Sequence, residues 1–215
     1  MSQRWARFWF GVTAAFVVVG LAIQLLVSAT STEGHFTSPA ARVVNVFFFF
    51  TIDSNIIVGA TTLLLAIRLR RPSPVFRSFR LAGIVGIAVT GIVYHTVLAG
   101  LHELHGWALV ADLILHTCVP ILAVVSWLVF GPPARTSWSE AGWALVFPLI
   151  WLVVTLVRGR IVDWYPYPFV DVIKLGYGRV TLNCLGVAVA FLVITALAVA
   201  HDRWLARRQA RLGKP

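Results

Sequence analysis

The chain has 215 residues, 59% of them hydrophobic and 12% charged, with a mean hydropathy of +0.86 and a formal net charge of +10. Roughly a quarter of the residues in a soluble domain are charged, so this composition excludes an ordinary soluble protein and predicts an all-α integral membrane protein. The basic excess does not call for a nucleic-acid partner, because the arginines cluster in short segments between apolar runs, as membrane topology and anionic headgroups require.

Six apolar runs are each long enough to cross a core about 30 Å thick at about 1.5 Å per residue, which predicts a single-domain six-helix bundle. The first, Phe8–Ala29, follows Arg4 and Arg7 and ends in Val27-Ser28-Ala29, a cleavage-like sequence. Its apolar stretch is longer than the roughly 7 to 15 residues of a signal peptide, and it reads as an uncleaved span. The second, Val43–Ile67, is interrupted by Thr51-Ile52-Asp53-Ser54-Asn55. A basic turn with two prolines, Arg68 to Arg77, leads to the third, Leu81–Leu101, which carries Tyr94 and His95. The fourth, Ala108–Phe130, contains Asp112 and His116 and is stopped by Gly131-Pro132-Pro133. The fifth, Ala141–Val157, is the shortest. The longest connection, Arg158 to Arg179, follows it and includes Trp164, Tyr165, Tyr167 and Phe169 among two prolines. That loop suits either an anchor at the headgroup level or a lid over a site. The sixth run, Val180–Ala200, has Thr181 and Asn183 near its start. Cys118 and Cys184 fall inside spans with no C-x-x-C or zinc spacing, so they read as core residues, and neither a metal nor a cofactor is called for.

With the N-terminus inside, one face collects Arg4, Arg7, Arg68, Arg70, Arg71, Arg77, Arg80, Arg135, Arg203, Arg207, Arg208, Arg211 and Lys214. Arg42, Arg158, Arg160, Lys174 and Arg179 are left for the other face. The positive-inside rule then predicts a multi-pass protein with both termini cytoplasmic.

A charged or strongly polar group in hydrocarbon costs on the order of 3 kcal/mol, so the polar residues within these spans mark a functional site. Thr51 and His116 each come eight residues after their predicted helix starts, which places both about 12 Å below the outer boundary. Thr51, Ser54 and Asn55 share one helical face, and Asp112 and His116 form an i, i+4 pair. A threonine hydroxyl beside an imidazole is a nucleophile with its base, and Asp112 is placed to hold the imidazole in one tautomer. Asn55, Ser54 and Asn183 are candidate donors to an oxyanion, with Asp53 and His95 as supporting polar groups. Two other classes fit the same residues: a haem-binding electron carrier using His95 and His116, or a proton-coupled transporter using Asp53, Asp112 and His116. A non-catalytic scaffold needs none of this chemistry.

Four segments resemble the androgen-induced transmembrane hydrolase family and its bacterial relatives. They are Phe49-Phe50-Thr51-Ile52-Asp53-Ser54-Asn55, Leu115-His116-Thr117-Cys118-Val119-Pro120, Trp164 to Phe169, and Gly176 to Asn183. The resemblance covers most of the chain. It implies an intramembrane threonine hydrolase of the bacterial plasma membrane that cleaves fatty-acid esters of hydroxy fatty acids or a related lipid ester. Thr51 would be the nucleophile and His116 the base. Asp112 departs from the amide that animal members carry in that region.

Overall fold

The computed structural model describes residues 3–101, 103–131 and 136–211. Of the residues assigned above to turns and basic segments, Pro132, Pro133, Arg135 and Lys214 lie outside the described residues. The helices are α1 (Gln3–Thr30), α2 (Pro39–Val46), α3 (Phe50–Ile67), α4 (Pro74–Val93), α5 (Gly106–Leu113), α6 (Val119–Phe130), α7 (Trp138–Val162) and α8 (Val172–Arg211). A π-helical turn, Tyr94–Leu98, prolongs α4, and a second, Ile114–Cys118, joins α5 to α6. Six helices are therefore long and apolar enough to cross a membrane, and no strand occurs among the described residues. The fifth span, short by hydropathy, is extended at its start by a capping box in which Ser137 accepts from the Glu140 N–H and Glu140 from the Ser137 N–H.

α3 and α4 form the interior, since 56% and 50% of their apolar windows are buried against 11% for α7 and 17% for α8. Leu149, Val153, Leu185 and Leu192 point outward from α7 and α8, which gives the bundle the apolar flank of a multi-pass membrane protein. α4 packs against α3, α6, α7 and α8, while α1 covers α3 and the α5–α6 span. At the end bearing the described termini, basic side chains fasten helix ends. Arg7 donates to the Ala66 and Ile67 carbonyls at 2.7 and 3.0 Å, satisfying the last turn of α3. Arg77 pairs with Glu140 at 2.5 Å. Arg80, buried against the Phe10 and Trp127 rings, donates to the Gly131 carbonyl, and Asp202 accepts from the Thr136 N–H.

The second span differs from its prediction as one helix. Val43–Ile67 is broken at Phe47–Phe49 into α2 and α3. Hydropathy cannot register this break because the residues at it are all phenylalanine; tertiary partners hold it open. Trp151 Nε1 donates to the Phe48 carbonyl at 3.1 Å, and the Arg158 guanidinium lies 3.8 Å from the centre of the Phe48 ring while donating to Asn45 Oδ1. Non-helical backbone at this depth persists only where protein groups satisfy it. Thr51 consequently sits in the first turn of α3 rather than in mid-helix.

Candidate active site

The α5–α6 span brings the imidazole. Within its π turn the Val119 N–H bonds to the Ile114 carbonyl. The next bond of that register would run from residue 120 to the Leu115 carbonyl, but Pro120 has no N–H. Asn55 Nδ2 donates to the freed Leu115 carbonyl at 3.3 Å and to the Thr51 carbonyl at 2.8 Å, tying the π turn to α3. α1 admits the same turn closely through Gly20, where a Cβ would lie 2.6 Å from Ile114 Cγ2 and 2.8 Å from Leu115 Cδ2.

Thr51 Oγ1 lies 3.2 Å from His116 Nε2, and His116 Nδ1 lies 2.9 Å from Asp112 Oδ1. Tyr94 donates to Asp112 Oδ2 at 2.5 Å, and its ring stacks on the His116 imidazole at 4.2 Å and 16°. Tyr167 completes the group from the Asp163–Asp171 loop, with its hydroxyl 3.2 Å from Thr51 Oγ1 and 3.1 Å from Thr51 N. A set of donors that suits a general base satisfies these contacts. Tyr94 O–H and His116 Nδ1–H both donate to the Asp112 carboxylate, which leaves Nε2 as an acceptor for the Thr51 hydroxyl. Thr51 Oγ1 then accepts from Tyr167, and Tyr167 accepts from the Thr51 N–H.

Burial pushes the Tyr167 phenol up from 10.0 to about 12, against the opposing effect of its bonds with Thr51, so it stays a donor at neutral pH. Its ring is fixed by stacking on Phe169 and by contacts with Phe49 and Trp151. The loop buries Tyr165, Tyr167 and Val170 in the core, with Tyr167 reaching Thr51, while Trp164 packs on Phe36 and Phe49 at the same end.

The other residues predicted for the site have different partners. Asn55 holds the π turn, as above. Ser54 Oγ is buried against Gly86 and makes no hydrogen bond. Asn183 Nδ2 donates to the Phe169 carbonyl at 2.9 Å, anchoring the loop that carries Tyr167. Asp53 is half-buried in the first turn of α3, where a negative charge suits the helix dipole. His95 is exposed, 3.1 Å from Thr117 Oγ1, whereas both ring nitrogens of His116 are engaged with Thr51 and Asp112. The donor beside Thr51 Oγ1 is instead the Tyr167 hydroxyl. Tyr94 and Tyr167 were visible in the sequence only as a polar residue of the third span and as a proline-flanked aromatic of the loop; neither position announced a partner. Among the described residues no three His, Cys, Asp or Glu side chains gather as metal ligands.

Two cavities meet at Thr51. A polar one of about 600 Å³ is lined by Thr51, Tyr94, Asp112, His116 and Tyr167 and reaches the loop end at Glu33 and Lys174. An apolar one of about 310 Å³ lies between α4, α7 and α8, with Thr51, Leu98 and Tyr167 as the wall it shares with the first. Comparison with models of protein families, with curated proteins and with solved structures finds no match to this chain.

Proposed function

We propose that this chain is an intramembrane hydrolase of long-chain fatty-acid esters, with Thr51 as nucleophile and His116 as general base and acid. The observation that carries the reading is the hydrogen-bonded series from Asp112 through His116 to Thr51, inside an apolar bundle and open to a cavity on each side. Such a series needs a nucleophile within about 2.6–3.2 Å of its base and a third group that orients the base. The resemblance to the androgen-induced transmembrane hydrolases, carried by the segments around Thr51 and His116, supports the same roles.

Thr51 Oγ1 attacks the ester carbonyl as His116 Nε2 takes its proton. The Asp112 carboxylate stabilises the resulting imidazolium, and Tyr94 holds that carboxylate. Negative charge on the carbonyl oxygen is met by the Tyr167 hydroxyl, which turns its proton from Thr51 Oγ1 to that oxygen while its own oxygen keeps the bond from the Thr51 N–H. His116 then protonates the departing alkoxide, leaving an acyl-threonine. Water, deprotonated by the same imidazole, resolves it to the acid and restores the Thr51 hydroxyl.

The arginine distribution supports an orientation with both termini cytoplasmic, and the resemblance supports a bacterial plasma membrane; that orientation sets the polar cavity toward the outer face. The experiment is hydrolysis of long-chain esters by purified protein: Thr51→Ala and His116→Ala lose turnover while remaining folded, and full turnover by either refutes the reading.

A further inference from the structure

The two cavities differ in chemistry, and the position of His116 decides which half of an ester each can take. The alcohol oxygen must leave beside the group that protonates it. His116 lines the polar cavity and not the apolar one, so the alcohol half departs through the polar cavity. The acyl chain, on the other side of the carbonyl carbon, extends past Thr51 and Tyr167 into the apolar cavity.

That cavity is built for hydrocarbon. Val89, Val93, Trp151, Val187 and Phe191 form its walls, and from Cys184 to Leu192 it follows about 12 Å of α8. Leu149 and Leu192 line it and are also 62% and 57% exposed on the bundle flank, so it opens sideways between α7 and α8. Pro148, which removes one backbone donor from α7, stands at that opening. Its volume of about 310 Å³ suits one chain.

The polar cavity carries charge of both signs on its wall. The Arg42 guanidinium donates to the carbonyls of Ser28, Ala29, Phe36 and Thr37. Lys174 pairs with Asp171 at 3.6 Å. Gln24, Ser31 and Asn45 line the same space with Glu33 and Asp171, so the wall offers neutral polar groups beside cations and carboxylates. The partners of Arg42 are neutral carbonyls, so its charge stays on the wall, and the space suits a polar alcohol half, whether hydroxylated or anionic.

We infer that the apolar cavity between α4, α7 and α8 binds the acyl chain of a single-chain fatty-acid ester and that the alcohol half leaves through the polar cavity; this rests on the hydrolase reading above. The reaction balances as an ester hydrolysis. The Thr51 Oγ1–acyl bond forms and the acyl–alkoxide bond breaks with the threonine proton passing through His116 to the alcohol. Water then breaks the acyl–threonine bond, and its second proton returns to Thr51.

The test compares kcat/KM of the purified full-length protein in mixed micelles on three substrates. These are monoacylglycerols of increasing chain length, the acetate of a long-chain alcohol, and a fatty-acid ester of a hydroxy fatty acid. The expected result is Thr51-dependent turnover of both long-chain acyl esters, the monoacylglycerol and the hydroxy fatty acid ester, about tenfold or more above the acetate. Ala188→Trp, which fills the apolar cavity from α8, should lower the ratio of long-chain to short-chain monoacylglycerol turnover by about tenfold or more. Preference for the acetate overturns the inference and leaves the hydrolase standing, as does an unchanged ratio in Ala188→Trp. Absence of Thr51-dependent turnover on every ester overturns the hydrolase reading itself.

Discussion

Replacing Tyr167 by phenylalanine removes one oxygen and keeps the ring that Phe49, Trp151 and Phe169 hold in place. That oxygen has two roles. It accepts from the buried Thr51 N–H at 3.1 Å, and a buried donor left unpaired costs about 1–3 kcal/mol. It is also the donor assigned to the carbonyl oxygen during attack, and loss of such a donor lowers kcat about 10²- to 10³-fold, or about 3–4 kcal/mol of barrier. KM should move little, because the bond strengthens only as charge develops. Tyr165, two residues away, is the matched control: its hydroxyl is buried with no hydrogen-bond partner. Tyr165→Phe therefore sacrifices no hydrogen bond and should keep or raise thermal stability at normal turnover. Initial rates on a long-chain ester and thermal melts of both variants make the comparison. The reasoning fails if Tyr167→Phe keeps kcat within about twofold of the parent, or if the two phenylalanine variants behave alike.

Asp112→Asn leaves an amide facing both His116 Nδ1 and the Tyr94 hydroxyl, which favours the tautomer that points Nε2–H at Thr51. kcat should fall by roughly 10³- to 10⁴-fold, whereas Tyr94→Phe, removing only the donor behind the carboxylate, should cost about 10- to 100-fold; steady-state kinetics on the pair checks the order. Alkaline pH should act through Tyr167. Below 10.0 its proton is kept folded or unfolded, and above that the unfolded chain loses it first, so stability falls as pH rises toward about 12. Melts of the parent should decline more steeply over that window than those of Tyr167→Phe. Gly20→Ala places a methyl against Ile114 and Leu115 beside the catalytic turn, with an expected loss of about 1–3 kcal/mol in stability measurable by denaturant unfolding.

Much of the architecture was legible because the bilayer imposes it: helices crossing hydrocarbon must be long and apolar, and the six runs became six such helices. The shared depth of Thr51 and His116 came from counting along two runs, and the structure places the two side chains 3.2 Å apart. The count for Thr51 began at Val43, in a helix that ends at Val46. The break that puts Thr51 at a helix start depends on Trp151 and Arg158, about a hundred residues on, and nothing local signals it. Helical-face arithmetic gave Asn55 the correct side of α3 but not its partner, since the Leu115 carbonyl is free only because Pro120 follows a π turn. Asn183 and Tyr167 were both within sight in the sequence, but their roles depend on how the Asp163–Asp171 loop folds back, with Asn183 gripping Phe169 so that Tyr167 reaches Thr51.

The central claim is that Thr51 becomes acylated. Purified protein treated with a long-chain phosphonate probe and digested should yield one modified peptide, with the adduct mapped by mass spectrometry to Thr51. His116→Ala should lose the label while retaining its fold. An adduct on any other residue, or undiminished ester turnover by Thr51→Ala, would contradict the account.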